Sequence, residues 1–357
     1  MNGKEKPFST SALYLLLFIV NVFISPFILV LKSITAYLLP CISGSWTLFW
    51  YYIAKKADIF SVIMFTDPEF EPVADSLGDT QVGAAEKCTW VRVPKLIGDV
   101  KSKQKGKANK MVLFGKKISP NDVKQGGLGN CWLLAALSAL AEQPHYIRQM
   151  FVTNQINPRG RYKIRLYCPV DKKTMIFSID DFIPCHRSVS NHTVFSHPEG
   201  NEAWVLLIEK AFAKYAGSYH NLEGGLMIYA LTAFTGCNGS HFSRYDNEWR
   251  RSELSVIRYP RVEGSPRLRD IISFISKHDG NTNDDDMFEM VYKLLKHRCI
   301  VAAGSVGRDT TITDGRGKDG GIVGGHAYSI LKAYKPHFTS EKIRLVQLRN
   351  PWGTFEW

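Results

Sequence analysis

The sequence predicts an α+β protein: a mainly helical lobe, then a strand-rich lobe, with a hydrophobic N-terminal segment ahead of both. Three observations carry this. A Gly-rich turn, Gln125 to Gly129, runs straight into an apolar stretch of good helix formers, Cys131 to Leu137. A second helical pattern, Glu202 to Tyr215, places Trp204, Leu207, Ile208, Ala211 and Phe212 on one face. After residue 226 the pattern changes to short strand-like runs, clearest at Cys299–Gly304 and from His326 to Leu331. With 357 residues and 45% apolar content, the chain has enough material for two lobes and an appendage.

In chain order, residues 12 to 31 carry no charge over 20 positions, about one bilayer core in helical rise. A second uncharged run, 33 to 54, is broken by Pro40 and Gly44 and ends in Trp46, Trp50, Tyr51 and Tyr52, residues suited to a membrane interface. Two spans, a re-entrant loop, one span with an interfacial segment, a signal peptide and a buried helix of a soluble domain all compete for this region. Lys4, Lys6, Lys55 and Lys56 flank it and favour both ends in the cytosol. The expectation is therefore a membrane-associated chain, held through residues 12–54, with the remainder cytoplasmic. Cys41 beside this region is a weak acylation signal.

Residues 60 to 118 read as mostly irregular. Much of the net charge of +12 lies in Lys101, Lys103, Lys105, Lys107, Lys110, Lys116 and Lys117. No aromatic interleaving accompanies that run, so it reads as a solvated loop and not as a nucleic-acid surface. The helix that opens at Cys131 runs to about Glu142, before Pro144. Arg161–Val170 and Lys173–Ile183 read as paired strands, and Gly224-Gly225 as a hinge. Asp284-Asp285-Asp286 lacks EF-hand spacing and reads as the acidic start of a helix from Met287 to Lys296. Gly315 to Gly325 reads as a flexible loop without a phosphate-loop pattern. The seven cysteines are scattered and odd in number, which fits free thiols, and none forms a zinc cluster.

The chemistry concentrates in three short stretches. Cys131 falls where orphan N–H groups and the positive helix end favour a thiolate. Gln125, six residues upstream, can offer its amide to an oxyanion. His326 follows Gly324-Gly325, and Asn350 lies 24 residues further on in Asn350-Pro351-Trp352-Gly353. Cys, His and Asn in that order form the papain-type arrangement, with His326 as the proton carrier and Asn350 as its orienter. Trp352 can cover the His–Asn contact and exclude water.

The stretches QGGLGNCWLLAALSAL, GGHAYSIL and LRNPWGTFEW closely resemble the catalytic core of calpains, the calcium-dependent intracellular cysteine proteases. Phe65-Thr66-Asp67-Pro68-Glu69-Phe70 and the segment from Asn201 to Tyr219 also match, so the resemblance covers about residues 65 to 357. Asn130 departs from it, since the family usually has Asp before the Cys. The resemblance implies a papain-like two-lobe core: an N-terminal hydrophobic region 1–60, a helical Cys lobe 61–225, and a β-rich His/Asn lobe 226–357 that stops short of the family's last strands. It also implies Ca²⁺ as cofactor. Asp122 and Glu202 fall at the first-lobe calcium positions, completed by backbone carbonyls near Gly115 and Lys117, and Glu356 begins a second site whose other acidic ligands lie beyond Trp357. The first-lobe site is the favoured one. The implied activity is limited endoproteolysis of intracellular protein substrates, with no partner subunit inferable. The alternatives are an inactive calpain-like scaffold or fragment with an incomplete second lobe, and an acyl-transferring enzyme of the transglutaminase kind, which usually pairs its His with Asp.

Overall fold

The computed structural model of the chain describes residues 64–78, 88–101, 111–127, 129–187, 192–198, 200–258, 270–307, 322–336 and 343–353, with backbone alone for 98–101, 198, 253–258 and 270–281. The chain divides into two compact units, Met1–Ile63 and Met64–Trp357, and the described residues all lie in the second. The expected membrane segment 12–54, most of the lysine run and of the Gly315–Gly325 loop, and Glu356 therefore lie outside the described residues. Among the described residues, no helix is long and apolar enough to cross a membrane.

The first elements are a one-turn helix α1 (Ala74–Leu77), strand β1 (Cys88–Arg92) and helix α2 (Val93–Lys101). A 3-10 turn (Pro120–Asp122) and the short β2 (Val123–Lys124) lead to helices α3 (Cys131–Ala141) and α4 (Pro144–Met150). Strands β3 (Arg161–Cys168), β4 (Lys173–Asp180), β5 (Phe182–His186) and β6 (His197–Pro198) precede helices α5 (Trp204–Ala216) and α6 (Met227–Thr235). The C-terminal part holds β7 (His241–Tyr245), β8 (Glu248–Arg258), β9 (Asp270–Thr282), helix α7 (Asp284–Lys296), β10 (Val301–Gly304), β11 (Ala327–Tyr334) and β12 (Leu345–Arg349). The mixture of helix and antiparallel sheet fits a calpain-type core.

The two strands expected around residues 161–183 form a β3–β4 hairpin in continuous register, from Arg161 opposite Asp180 to Cys168 opposite Lys173. Alternate residues of β3 are buried, the period-2 pattern of a sheet with one face on the core. The later strands form two antiparallel three-stranded sheets, β7-β8-β9 and β10-β11-β12. The stretch 299–304, expected as a buried strand, forms β10 but is only half-buried among the described residues. Helix α7 starts three residues earlier than its apolar pattern suggests. Asn283 caps it by accepting the Asp286 N–H at 2.8 Å, and three Asp side chains occupy its positive end.

Helix α3 is buried at every position after Cys131. Trp132 sits edge-on to Phe212 at 5.8 Å, stacks on Tyr229 at 6.0 Å, and donates its indole N–H to the Leu222 carbonyl at 2.8 Å. The Gly224-Gly225 pair, expected as a hinge, is pinned at this point. Gly224 has φ +67° and donates its N–H to the Gly129 carbonyl at 3.0 Å. A Cβ on Gly225 would lie 2.4 Å from the Trp132 ring, so only glycine permits the approach. Helix α6, beyond this pair, packs on α3 and β3, so the helical layer continues to Thr235.

Helix α5 is more deeply buried than its single apolar face suggests, because Glu209 and Lys210 are inside as well. Lys210 pairs with Asp180, both side chains 0% exposed, and donates to the Phe182 carbonyl at 2.7 Å. Asp180 also accepts the Asp67 and Phe182 N–H groups at 2.8 and 2.9 Å. Lys214, one turn on, binds Asp67 at 2.8 Å and Glu69 at 2.8 Å. These pairs tie the segment before α1 to the hairpin and to α5. Removing one partner of a buried pair leaves a desolvated charge. Lys210→Met is therefore expected to cost about 3–5 kcal/mol in urea unfolding, and Asp180→Asn with Lys210→Met to regain at least half of it. A double variant no more stable than the single would show that the pair is not the source of the loss.

Candidate active site

The turn before α3 sets the position of Cys131. Asn130 is its N-cap residue, and the Asn130 carbonyl accepts the Leu133 and Leu134 N–H groups at 3.0 and 3.2 Å. Cys131 is the first helical residue and is half-buried, whereas Trp132 to Ala141 are buried. The thiol thus stands at the positive end of an apolar helix. Gln125 is carried by the loop between β2 and this turn. Its backbone N–H donates to the Pro351 carbonyl at 2.9 Å, which joins that loop to the Asn350-Pro351 turn.

His326 and Asn350 meet on the other side of the seam. His326 immediately precedes β11 and is 2% exposed; Asn350 immediately follows β12 and is 4% exposed. Because β11 and β12 are antiparallel, with Ser329 opposite Arg349, the two residues come to one end of the sheet. His326 Nε2 lies 2.9 Å from Asn350 Oδ1. The Trp352 N–H donates to the same Oδ1 at 3.0 Å. A backbone N–H can only donate, so this contact identifies the oxygen of the Asn350 amide. His326 Nε2 must then donate to it, which makes Nδ1 the basic nitrogen of the neutral ring. The Trp352 ring lies 4.5 Å from the imidazole and Tyr328 meets it edge-on at 5.0 Å.

A residue not anticipated from sequence holds the histidine backbone. Ser305 Oγ accepts the His326 N–H at 3.0 Å, and the Ser305 N–H donates to the His326 carbonyl at 2.9 Å. Nothing in the sequence around Ser305 signals this, since the contact spans 21 positions. Helix α3 and β11 are joined directly: Ser329 Oγ donates to the Ala135 carbonyl at 3.0 Å. Cys131 also makes itself felt at Tyr328. Burial pushes that phenol up, the Val323 N–H opposes the shift, and a negative charge on Cys131 adds to it.

Of the two acidic residues expected for calcium, Glu202 lies against the 112–115 segment, which precedes the Asp122 turn. Val112 pairs in parallel with Glu202; its N–H donates to the Asn201 carbonyl at 3.0 Å and its carbonyl accepts the Ala203 N–H at 3.1 Å. Gly115 approaches so closely that a Cβ there would lie 1.8 Å from Glu202 Oε1. Glu202 Oε2 accepts the Trp204 indole N–H at 3.1 Å. Asp122 ends the 3-10 turn Pro120–Asp122 and is buried. Its carboxylate accepts the Ser119 N–H at 2.8 Å, while Ser119 Oγ accepts the Asn121 N–H, a reciprocal capping box. Among the described residues, no group of three or more His, Cys, Asp or Glu side chains is placed to hold a metal ion.

A family model described as calpain family cysteine protease matches residues 65–357. The calpain-type cysteine protease DEK1 of Arabidopsis thaliana is 31% identical over 299 residues, covering 82% of this chain and 12% of that protein. Calpain-12 of Homo sapiens is 29% identical over 318 residues, covering 86% of this chain and 36% of that protein. The calpain-1 catalytic subunit of Mus musculus is 26% identical over 319 residues, covering 86% and 37% respectively. The chain thus spans little more than a third, at most, of the length of these relatives. With the family's motifs gathered along one seam and its model matching most of the sequence, the chain belongs to the calpain family of cysteine proteases.

Proposed function

We propose that this calpain-family domain hydrolyses peptide bonds in unstructured segments of proteins, with Cys131 as nucleophile, His326 as proton carrier and Asn350 as its orienter. The observation that carries the reading is the double acceptor at Asn350 Oδ1, which assigns the imidazole tautomer with a basic Nδ1. In the first half-reaction Nδ1 takes the Cys131 proton and the sulfur attacks the peptide carbonyl carbon. The Cys131 backbone N–H and the Gln125 side chain stabilise the oxyanion. The C–N bond then breaks and His326 returns the proton to the leaving amine. Water attacks the thioester, giving its proton to His326, and the C–S bond breaks to release the acid and the thiol. The Trp352 ring, tilted against the imidazole at 4.5 Å, would keep water from the His326–Asn350 contact.

Calcium dependence is part of this proposal. Asp122, Glu202 and carbonyls of the 115–117 loop are the residues that would hold the ion. The donor set is all oxygen, and the loop backbone lies against the Glu202 carboxylate without a side chain between, which fits a hard cation. Bound there, Ca²⁺ would supply positive charge that fixes this loop, and with it β2 and Gln125. Glu356 is a further carboxylate proposed for a second ion. The uncharged run 12–31 supports association of the N-terminal unit with a membrane.

Casein hydrolysis measured against free calcium tests the reading. Cleavage is expected to rise with calcium and to vanish in Cys131→Ala. No cleavage at any calcium level would favour the scaffold alternative. Cleavage that ignores calcium would keep the protease and remove the Asp122–Glu202 switch. Glu202→Ala is expected to raise the calcium needed for half-maximal activity, with the Cys131 alkylation rate at saturating calcium kept. Asn350→Ala is expected to lower kcat about 100-fold with KM little changed, since misplacing a catalytic group by about 1 Å costs that much. A KM effect alone would contradict the orienting role.

A further inference from the structure

Glu209 sits in the middle of α5, where a sequence reading leaves it as one more charge on a helix, yet it is 1% exposed. A carboxylate taken out of water needs hydrogen-bond donors aimed at it. Glu209 has them on both oxygens. Asn130 Nδ2 donates to Oε1 at 2.7 Å. Ser196 Oγ donates to Oε2 at 2.6 Å, and the Ser196 N–H is shared between the two oxygens at 3.1 Å each.

Each donor leads to a different half of the oxyanion site. Asn130 is the residue before Cys131, so the pair fixes the peptide whose N–H is the first oxyanion donor. Ser196 belongs to the segment that braces the loop after Gln125. The Gly127 N–H donates to the Val194 carbonyl at 2.9 Å, and a Cβ on Gly126 would lie 1.7 Å from the Phe195 carbonyl oxygen. The same segment continues into β6, which pairs with β2 and places Lys124, the neighbour of Gln125, opposite His197.

We propose that Glu209 is a positioning residue that sets the separation of the two oxyanion donors, by gripping the Cys131 turn through Asn130 and the Gln125 loop through Ser196. The inference rests on the protease reading above and adds to it a residue that never touches substrate. Burial raises the Glu209 carboxyl to about 7, against the pull of the Ser196 hydroxyl, the Ser196 N–H and Asn130. Above that value the carboxylate is ionised and accepts from all of its partners.

The test compares the full chain with Glu209→Gln and Ser196→Ala at pH 8 and saturating calcium. It measures kcat and KM on a fluorogenic peptide amide, the rate of Cys131 alkylation by iodoacetamide, and the thermal melt. Alkylation needs the nucleophile but forms no oxyanion, so it separates donor alignment from general damage. Loss of one oxyanion donor costs about 100- to 1,000-fold in kcat, so misalignment in Glu209→Gln is expected to cost about 10- to 100-fold, with KM and alkylation within about twofold. Ser196→Ala is expected to show the same pattern with a smaller loss. An unchanged kcat in Glu209→Gln overturns the inference, as does a kcat that falls together with alkylation. Should Glu209→Gln fail to fold, Ser196→Ala decides alone, and an unchanged kcat there overturns it. A wild-type chain that neither cleaves nor alkylates at Cys131 overturns the protease reading and the inference with it, a pattern distinct from any variant result.

Discussion

Two hydrogen bonds across one seam hold the parts of the site together: the Gln125 N–H to the Pro351 carbonyl, and Ser329 Oγ to the Ala135 carbonyl. The cysteine belongs to a helix packed in the apolar layer, and the histidine and asparagine to the ends of two strands. Cys131 thus lies on one half and His326 with Asn350 on the other. Apolar packing of α3 on β11 lies beside the two crossing hydrogen bonds, each of which is worth on the order of 1 kcal/mol net. An assembly joined this way is sensitive to whatever fixes the 111–125 segment, which runs from the Glu202 contact through Asp122 to Gln125.

The helical half carries an opposite character. Its charged pairs, Lys210 with Asp180, Arg92 with Asp181, and Lys214 with Asp67, link segments far apart in sequence. Buried pairs are weak sources of net stability but strong penalties against mispacking. Together with Gly225 against Trp132, they give the half that carries Cys131 one arrangement, against which the sheet half packs.

The candidate site was legible because its residues lie in short stretches whose local chemistry is unusual: a Gly-rich turn into an apolar helix at Cys131, a Gly-Gly-His before alternation, an Asn-Pro-Trp turn. The β3–β4 hairpin was legible from its period. What sequence did not disclose are contacts that leave no local trace. Ser305 reaches His326 across 21 positions, and Glu209 reaches Asn130 across 79. The Gly224-Gly225 pair shows a related point. Glycine signals either freedom or close approach, and only the Trp132 ring decides which. The Asp284-Asp285-Asp286 reading went the right way for a local reason, since acidic side chains at a helix start act within one turn.

The turn at Asn350 compresses two jobs into one atom. Pro351 has no N–H, so the first backbone donor after Asn350 is that of Trp352, and it closes back on Oδ1. The oxygen that meets the imidazole is therefore also the one that closes the turn carrying the indole beside it. Both contacts meet at a single atom. A change at Asn350 therefore disturbs the imidazole contact and the seat of the indole together.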